Sequence, residues 1–200
     1  MDRAVFVGIN AYPYPNALHG CLNDINDVGA AVETVCHFDS AGIVVLTDDK
    51  ATADAIMATL QNVVALLKAG DRFLFWYSGH GAQLTDGDAA TDVICPVDFN
   101  FTQATSVSVQ DFHDIFSRIP SGVIAMWGSD SCHSGDLERD LYRHGVPKMF
   151  RRDVSHRGSS APTKVRTFRD VAAALPNIAL ISGCRSDQSA STAWRDLAIG

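Results

Sequence analysis

AGDRFLFWYSGHG, residues 69 to 81, decides the fold. Its centre, Phe73 to Tyr77, is unbroken apolar and aromatic sequence, and Gly79 and Gly81 stop it. The run is too short for a core helix, and a strand with one wet face would alternate. It reads as a strand at about 72 to 77, buried on both faces. Similar runs flank it: RAVFVGI at 3 to 9, GIVVLTD at 42 to 48, GVIAMWGSD at 122 to 130 and NIALISG at 177 to 183. Helical spacing lies between them. Leu22, Ile25, Val28, Val32 and Val35 form one stripe. Thr52 is an N-cap, followed by Ile56, Leu60, Val63 and Leu67 on one face. Val109 to Arg118 and Phe168 to Leu175 read as two more helices. Residues 82 to 106 read as loop, with DVICPVD as a short extended piece. Strand and helix alternate, so the expected fold is a three-layer α/β domain. Its central sheet is mostly parallel, with helices on both faces. The whole chain, 1 to 200, is expected to be one domain.

Composition narrows the partners. The charged fraction is 20%, and the net charge is −7. An acidic chain is not a general nucleic-acid binder. Residues 139 to 169 nonetheless carry nine of the 16 basic residues and two of the 23 acidic ones. That segment is +7 and the remainder −14. It reads as a basic exposed loop or linker at about 137 to 168, either simply solvated or attracted to the acidic body. The five cysteines are odd in number and show no CxxC pair, so no disulfide framework or zinc ribbon is expected. MDRAVFVGIN is not a signal peptide, and no apolar run approaches membrane-spanning length. The expected location is cytoplasmic, with no membrane partner.

Ligand sites in open parallel sheets lie beyond the carboxyl ends of the strands. Four unusual stretches fall there: HGCLND (19–24), YSGHG (77–81), SDSCHSG (129–135) and SGCRSDQS (182–189). Cys132 fits a packed core thiol, a metal ligand or a nucleophile. A nucleophilic thiol needs a base, and His80 ends a strand that can neighbour its own. His80 would take the thiol proton and return it to the leaving amine. The N–H groups of Gly81 and Cys132 would hold the oxyanion. His133 is the poorer partner, because adjacent side chains diverge. Zinc held by His80, Cys132, His133 and His113 lacks the usual ligand spacing. A serine nucleophile at Ser131 or Ser78 lacks the GxSxG elbow.

These motifs resemble one family. FWYSGHG, then DGD and DVICPVD, then DSCHSG and ISGCRSDQSAS, resemble metacaspases and bacterial orthocaspases, over the large catalytic subunit. AVFVGINAYPYPNALHGCLNDINDV, residues 4 to 28, resembles their first strand and loop. The resemblance implies the caspase–hemoglobinase fold and a His80–Cys132 catalytic dyad. It implies a cysteine endopeptidase that cleaves after Arg or Lys. Asp24 and Asp130 match the acidic specificity pocket, lined by Cys21 and Ser78, with Asp187 at the rim. Two nearby carboxylates suit a guanidinium. Asp24 also suits the positive end of a helix.

Two departures stand out. Many metacaspases bind calcium through loop carboxylates, but Val109 and Gln110 stand where the family often has an Asp-Asp pair. Asp86, Asp88 and Asp92 offer oxygen ligands for a hard cation or form a solvated acidic loop. No cofactor is expected to be required. The family's small subunit would follow Gly200; an orthocaspase form, a processed piece or a missing C-terminal region all fit. The basic segment offers self-processing sites at Arg143, Lys148, Arg151, Arg152, Arg157, Lys164, Arg166 and Arg169. The expected partners are basic peptides or proteins. The competing expectation is a non-catalytic module that binds basic peptides or partner proteins. A metal-dependent hydrolase using the same cleft is the third.

Overall fold

The computed structural model describes residues 1–86, 89–131, 146–147, 164–175, 177–182 and 191–192. Five parallel strands form the main sheet: β1 (Arg3–Gly8), β2 (Ile43–Thr47), β3 (Arg72–Ser78), β7 (Ile124–Asp130) and β10 (Ile178–Ser182). Their order is β10-β7-β3-β1-β2. All five apolar runs of the sequence become neighbours in one sheet, with β1 and β3 at its centre buried along most of their length.

Side chains alternate across this sheet. Odd-numbered residues, among them Val5, Val7, Phe73, Phe75, Tyr77 and Trp127, enter the larger core. Helices α2 (Ala53–Ala65), α3 (Val109–Phe116) and α4 (Phe168–Ala174) cover that face. Even-numbered Ala4, Phe6 and Leu74 meet α1 (Cys21–Thr34) through Ile25 and Val32. An aromatic stack fixes the larger core, with ring centroids 4.5 Å apart for Phe112–Trp127 and 4.9 Å for Trp127–Phe168. Each such ring contributes about 1.5–3 kcal/mol through its burial.

The helix starts obey their local sequence. Thr52 caps α2 by accepting from the Ala55 N–H. Ser108 with Asp111, and Thr167 with Asp170, form capping boxes for α3 and α4.

The stretch at 82–106 departs from the loop expected there. β4 (Gly81–Asp86) and β5 (Ala89–Ile94) pair as an antiparallel hairpin. β6 (Val107–Ser108) and β9 (Lys164–Arg166) then pair with successive parts of β5. The hairpin is rich in small and polar residues, so its sequence carries little strand signal. Cross-strand pairing supplies what propensity does not. The end of the basic stretch is not loop either: Lys164–Arg166 is a strand, and Thr167 caps α4. Val146–Pro147 (β8) pairs antiparallel with Ser191–Thr192 (β11). Among the described residues no helix is long and apolar enough to cross a membrane.

Candidate active site

The register of two central strands brings the site together. Ser78, the last residue of β3, pairs with Asp130, the last of β7. His80 lies two positions beyond the first and Cys132 two beyond the second. Parallel strands run about 4.8 Å apart, so β3 and β7 end side by side at the sheet's carboxyl edge. Cys132 itself, with His133 and Asp187, lies outside the described residues.

His80 is only 1% exposed. Its Nε2 is 2.6 Å from the Asn16 carbonyl oxygen. A carbonyl only accepts, so this nitrogen carries a proton. In the neutral ring Nδ1 is then the basic nitrogen. The Tyr12 ring packs against the imidazole at 4.5 Å between centroids.

Both contacts come from the loop between β1 and α1, and that loop is held firmly. The Asp48 carboxylate accepts from the Asn10 and Ala11 N–H groups at 2.8 and 2.9 Å. The Asn10 side chain accepts from the Cys21 N–H at 3.0 Å, at the start of α1. The Ile9 N–H donates to the Ser78 carbonyl at 3.0 Å. Asn16 and Tyr12 are site residues that sequence reasoning missed. Both lie in the quoted INAYPYPN stretch, but no pattern marks a residue that works through its backbone carbonyl.

The ladder also orients Gly81. The Cys95 N–H donates to the His80 carbonyl at 2.9 Å. His80 and Cys95 thus belong to the hydrogen-bonding phase of the ladder, and the next pair, Gly81–Ile94, to the other phase. The Gly81 N–H consequently turns away from β5.

The acidic residues gather on the α1 face. Ser78 is fully buried, and its hydroxyl donates to Asp24 Oδ2 at 2.7 Å. Asp24 stands in the first turn of α1, where the helix dipole favours an anion. Asp130 is half-buried and shares the Ser78 face by register. Cys21 is buried at the first position of α1, one turn before Asp24. The structure thus brings Asp24, Ser78, Asp130 and Cys21 to the strand end that carries His80.

The other sequence candidates scatter. Asp86 is exposed, and Asp92 is 3% exposed on the opposite face of the hairpin. Asp92 accepts from Gln83 Nε2 at 2.9 Å; burial pushes its pKa up to about 6, against lowering by Gln83 and the Phe168 N–H. Asp88 lies outside the described residues. Val109 is buried in the core, Gln110 bonds Asp114 and Arg166, and the Asp111 carboxylate is spent on capping α3. These described side chains do not fit a calcium site. His113 is on α3, with Nδ1 3.4 Å from Asp114 Oδ1. Lys164 and Arg166 sit in β9 and Arg169 in α4. Arg143, Lys148, Arg151, Arg152 and Arg157 lie outside the described residues.

The profile of the metacaspase, peptidase C14 domain matches residues 2–139, more than half of the chain. The chain belongs to the metacaspase family. Metacaspase-1 of Scheffersomyces stipitis is 30% identical, over 96% of this chain and 58% of its own length. Metacaspase-2 of Trypanosoma brucei brucei is 33% identical over 94% of this chain and 55% of its own. Metacaspase-9 of Arabidopsis thaliana is 35% identical over 67% of this chain and 43% of its own. The chain thus spans about half the length of these metacaspases. A crystal structure of a Geobacter sulfurreducens protein shares the fold, with a TM-score of 0.67 at 20% identity over 95% of this chain.

Proposed function

We propose that this metacaspase chain is a cysteine endopeptidase that cleaves after Arg or Lys. The observation that carries the proposal is the Ser78–Asp130 register. It sets a buried, tautomer-fixed histidine beside two carboxylates at one strand end. His80 Nδ1 takes the Cys132 proton, and the thiolate attacks the scissile carbonyl. The Gly81 and Cys132 N–H groups receive the negative charge on oxygen. His80 then returns the proton to the leaving amine, and water hydrolyses the acyl-enzyme.

Asp24 and Asp130 bind the substrate's guanidinium or ammonium group, with Ser78 orienting Asp24 and Cys21 closing the floor. Asp187 adds charge at the rim. No step requires a metal or cofactor. Self-processing uses the same chemistry on the chain's own basic segment, and a reducing cytoplasm would keep Cys132 a thiol.

The test is cleavage of peptides with Arg, Lys, Asp or Ala before the scissile bond, with calcium and with a chelator. Cleavage after Arg and Lys in both media, abolished by Cys132→Ala, is the expected result. Cleavage after Asp would overturn the pocket assignment, and calcium dependence would overturn the metal-free mechanism. Absence of any cleavage would favour a module that binds basic peptides without cutting them.

A further inference from the structure

Tyr12 reads as an ordinary core aromatic, 4% exposed and part of the main apolar cluster. Its hydroxyl does something packing does not require. An antiparallel hydrogen-bonded pair exchanges two bonds. Between His80 and Cys95 one is present, from the Cys95 N–H to the His80 carbonyl at 2.9 Å. In place of the other stands the Tyr12 hydroxyl. It accepts from the His80 N–H at 3.1 Å and donates to the Cys95 carbonyl at 2.7 Å. The ladder is wedged open by one oxygen atom at the residue that carries the imidazole.

The neighbouring groups complete the wedge. The Tyr77 hydroxyl donates to the His80 carbonyl at 2.6 Å and lies 3.1 Å from the Tyr12 hydroxyl. Burial raises the pKa of both phenols well above 10, so both keep their protons to donate. At Gly79 a Cβ would stand 2.5 Å from the Tyr77 hydroxyl and 2.7 Å from that of Tyr12. Only glycine admits the two hydroxyls there. The Tyr12 ring meanwhile lies against the imidazole.

We infer that Tyr12 is a positioning residue for His80, acting through the hydroxyl it inserts between the His80 N–H and the Cys95 carbonyl. The inference rests on reading His80 as the base. Without the hydroxyl, the buried His80 N–H either loses its partner or closes directly on the Cys95 carbonyl, which the Tyr77 hydroxyl also reaches at 3.0 Å. Either change moves the His80 backbone relative to the Asn16 carbonyl that fixes its tautomer.

The experiment compares wild type, Tyr12→Phe and Tyr12→Leu. It measures steady-state cleavage of an Arg peptide, and the pH profile of Cys132 alkylation by iodoacetamide, read on the Cys132 peptide by mass spectrometry. Tyr12→Phe keeps the ring contact. It is expected to lower kcat about tenfold with little change in KM, the size of one hydrogen bond. Its alkylation midpoint is expected to shift, because the imidazole no longer sits correctly against the thiol. Tyr12→Leu is expected to lose more of both.

A Tyr12→Phe enzyme with wild-type kcat and wild-type alkylation profile would overturn the inference and return Tyr12 to the core. The alkylation profile separates this from failure of the peptidase reading. If wild type cuts no peptide, but its thiol titrates abnormally low and Tyr12→Phe moves it, the positioning role stands without the activity. An ordinary wild-type thiol profile would overturn both.

Discussion

Asp92→Asn should stabilise the protein at neutral pH, and the size follows from where the carboxylate sits. Asp92 is 3% exposed, and burial raises its pKa from 3.8 to about 6, with a small further push from Asp170. Gln83 and the Phe168 N–H offset only part of that penalty. The folded pKa is raised, so between pH about 4 and about 6 the native state binds more protons than the unfolded one. Stability contributed by this group therefore falls as pH rises through that window. Below it both states are protonated and the penalty vanishes. Above it the shift of roughly two units costs about 3 kcal/mol. Asparagine mimics the protonated acid and does not titrate. Urea unfolding would be measured from pH 4 to 8, with Cys132→Ala in both proteins to prevent self-cleavage. The variant should gain about 2–3 kcal/mol over its parent at pH 7.5, and the gain should shrink towards zero near pH 4. A difference independent of pH, or a less stable variant at pH 7.5, would refute the reasoning. It would mean that Asp92 is ionised at little cost in the fold.

Asp24→Asn keeps an oxygen to accept from Ser78 but removes the charge. It should lower kcat/KM for Arg peptides by roughly 100-fold or more, the loss of a charged partner in a desolvated site. The Cys132 alkylation rate should stay unchanged, and equal cleavage by variant and wild type would remove Asp24 from the pocket. Self-processing should map before Lys164, because a peptidase needs an extended, accessible bond, and Lys164–Arg166 is paired to β5 while Arg169 lies in α4. Mass spectrometry of the products settles this; a cut after Lys164 or Arg166 would contradict the pairing, and one after Arg169 would contradict the helix.

The sequence was most legible where one physical demand acted over several consecutive residues. All five main-sheet strands contain apolar runs; the central β1 and β3 are buried along most of both faces, while Val44, Val45, Ile124, Met126 and Ile181 of the outer strands remain exposed. Thr52 and the apolar stripe of α2 marked that helix for the same local reason. His80 and Cys132 stand out because unusual residue types follow apolar strands, whereas Asp24 and Asp130 are legible only through the resemblance to metacaspases. What the sequence by itself determined was therefore the fold class and the chain order of the main-sheet strands and the helices between them.

Only the tertiary structure decided the rest. The β4–β5 hairpin is held by pairing across the turn, which no run of small and polar residues announces. Asp86, Asp88 and Asp92 look like one acidic loop in sequence, yet the pleat sends Asp86 and Asp92 to opposite faces and buries one of them. The order β10-β7-β3-β1-β2 turns residues some fifty positions apart into neighbours, so Ser78 meets Asp130. The supports of His80, the Asn16 carbonyl and the Tyr12 hydroxyl, act through a backbone oxygen and an inserted ladder bond. Such contacts depend on where the chain returns in space, and composition and periodicity do not encode that.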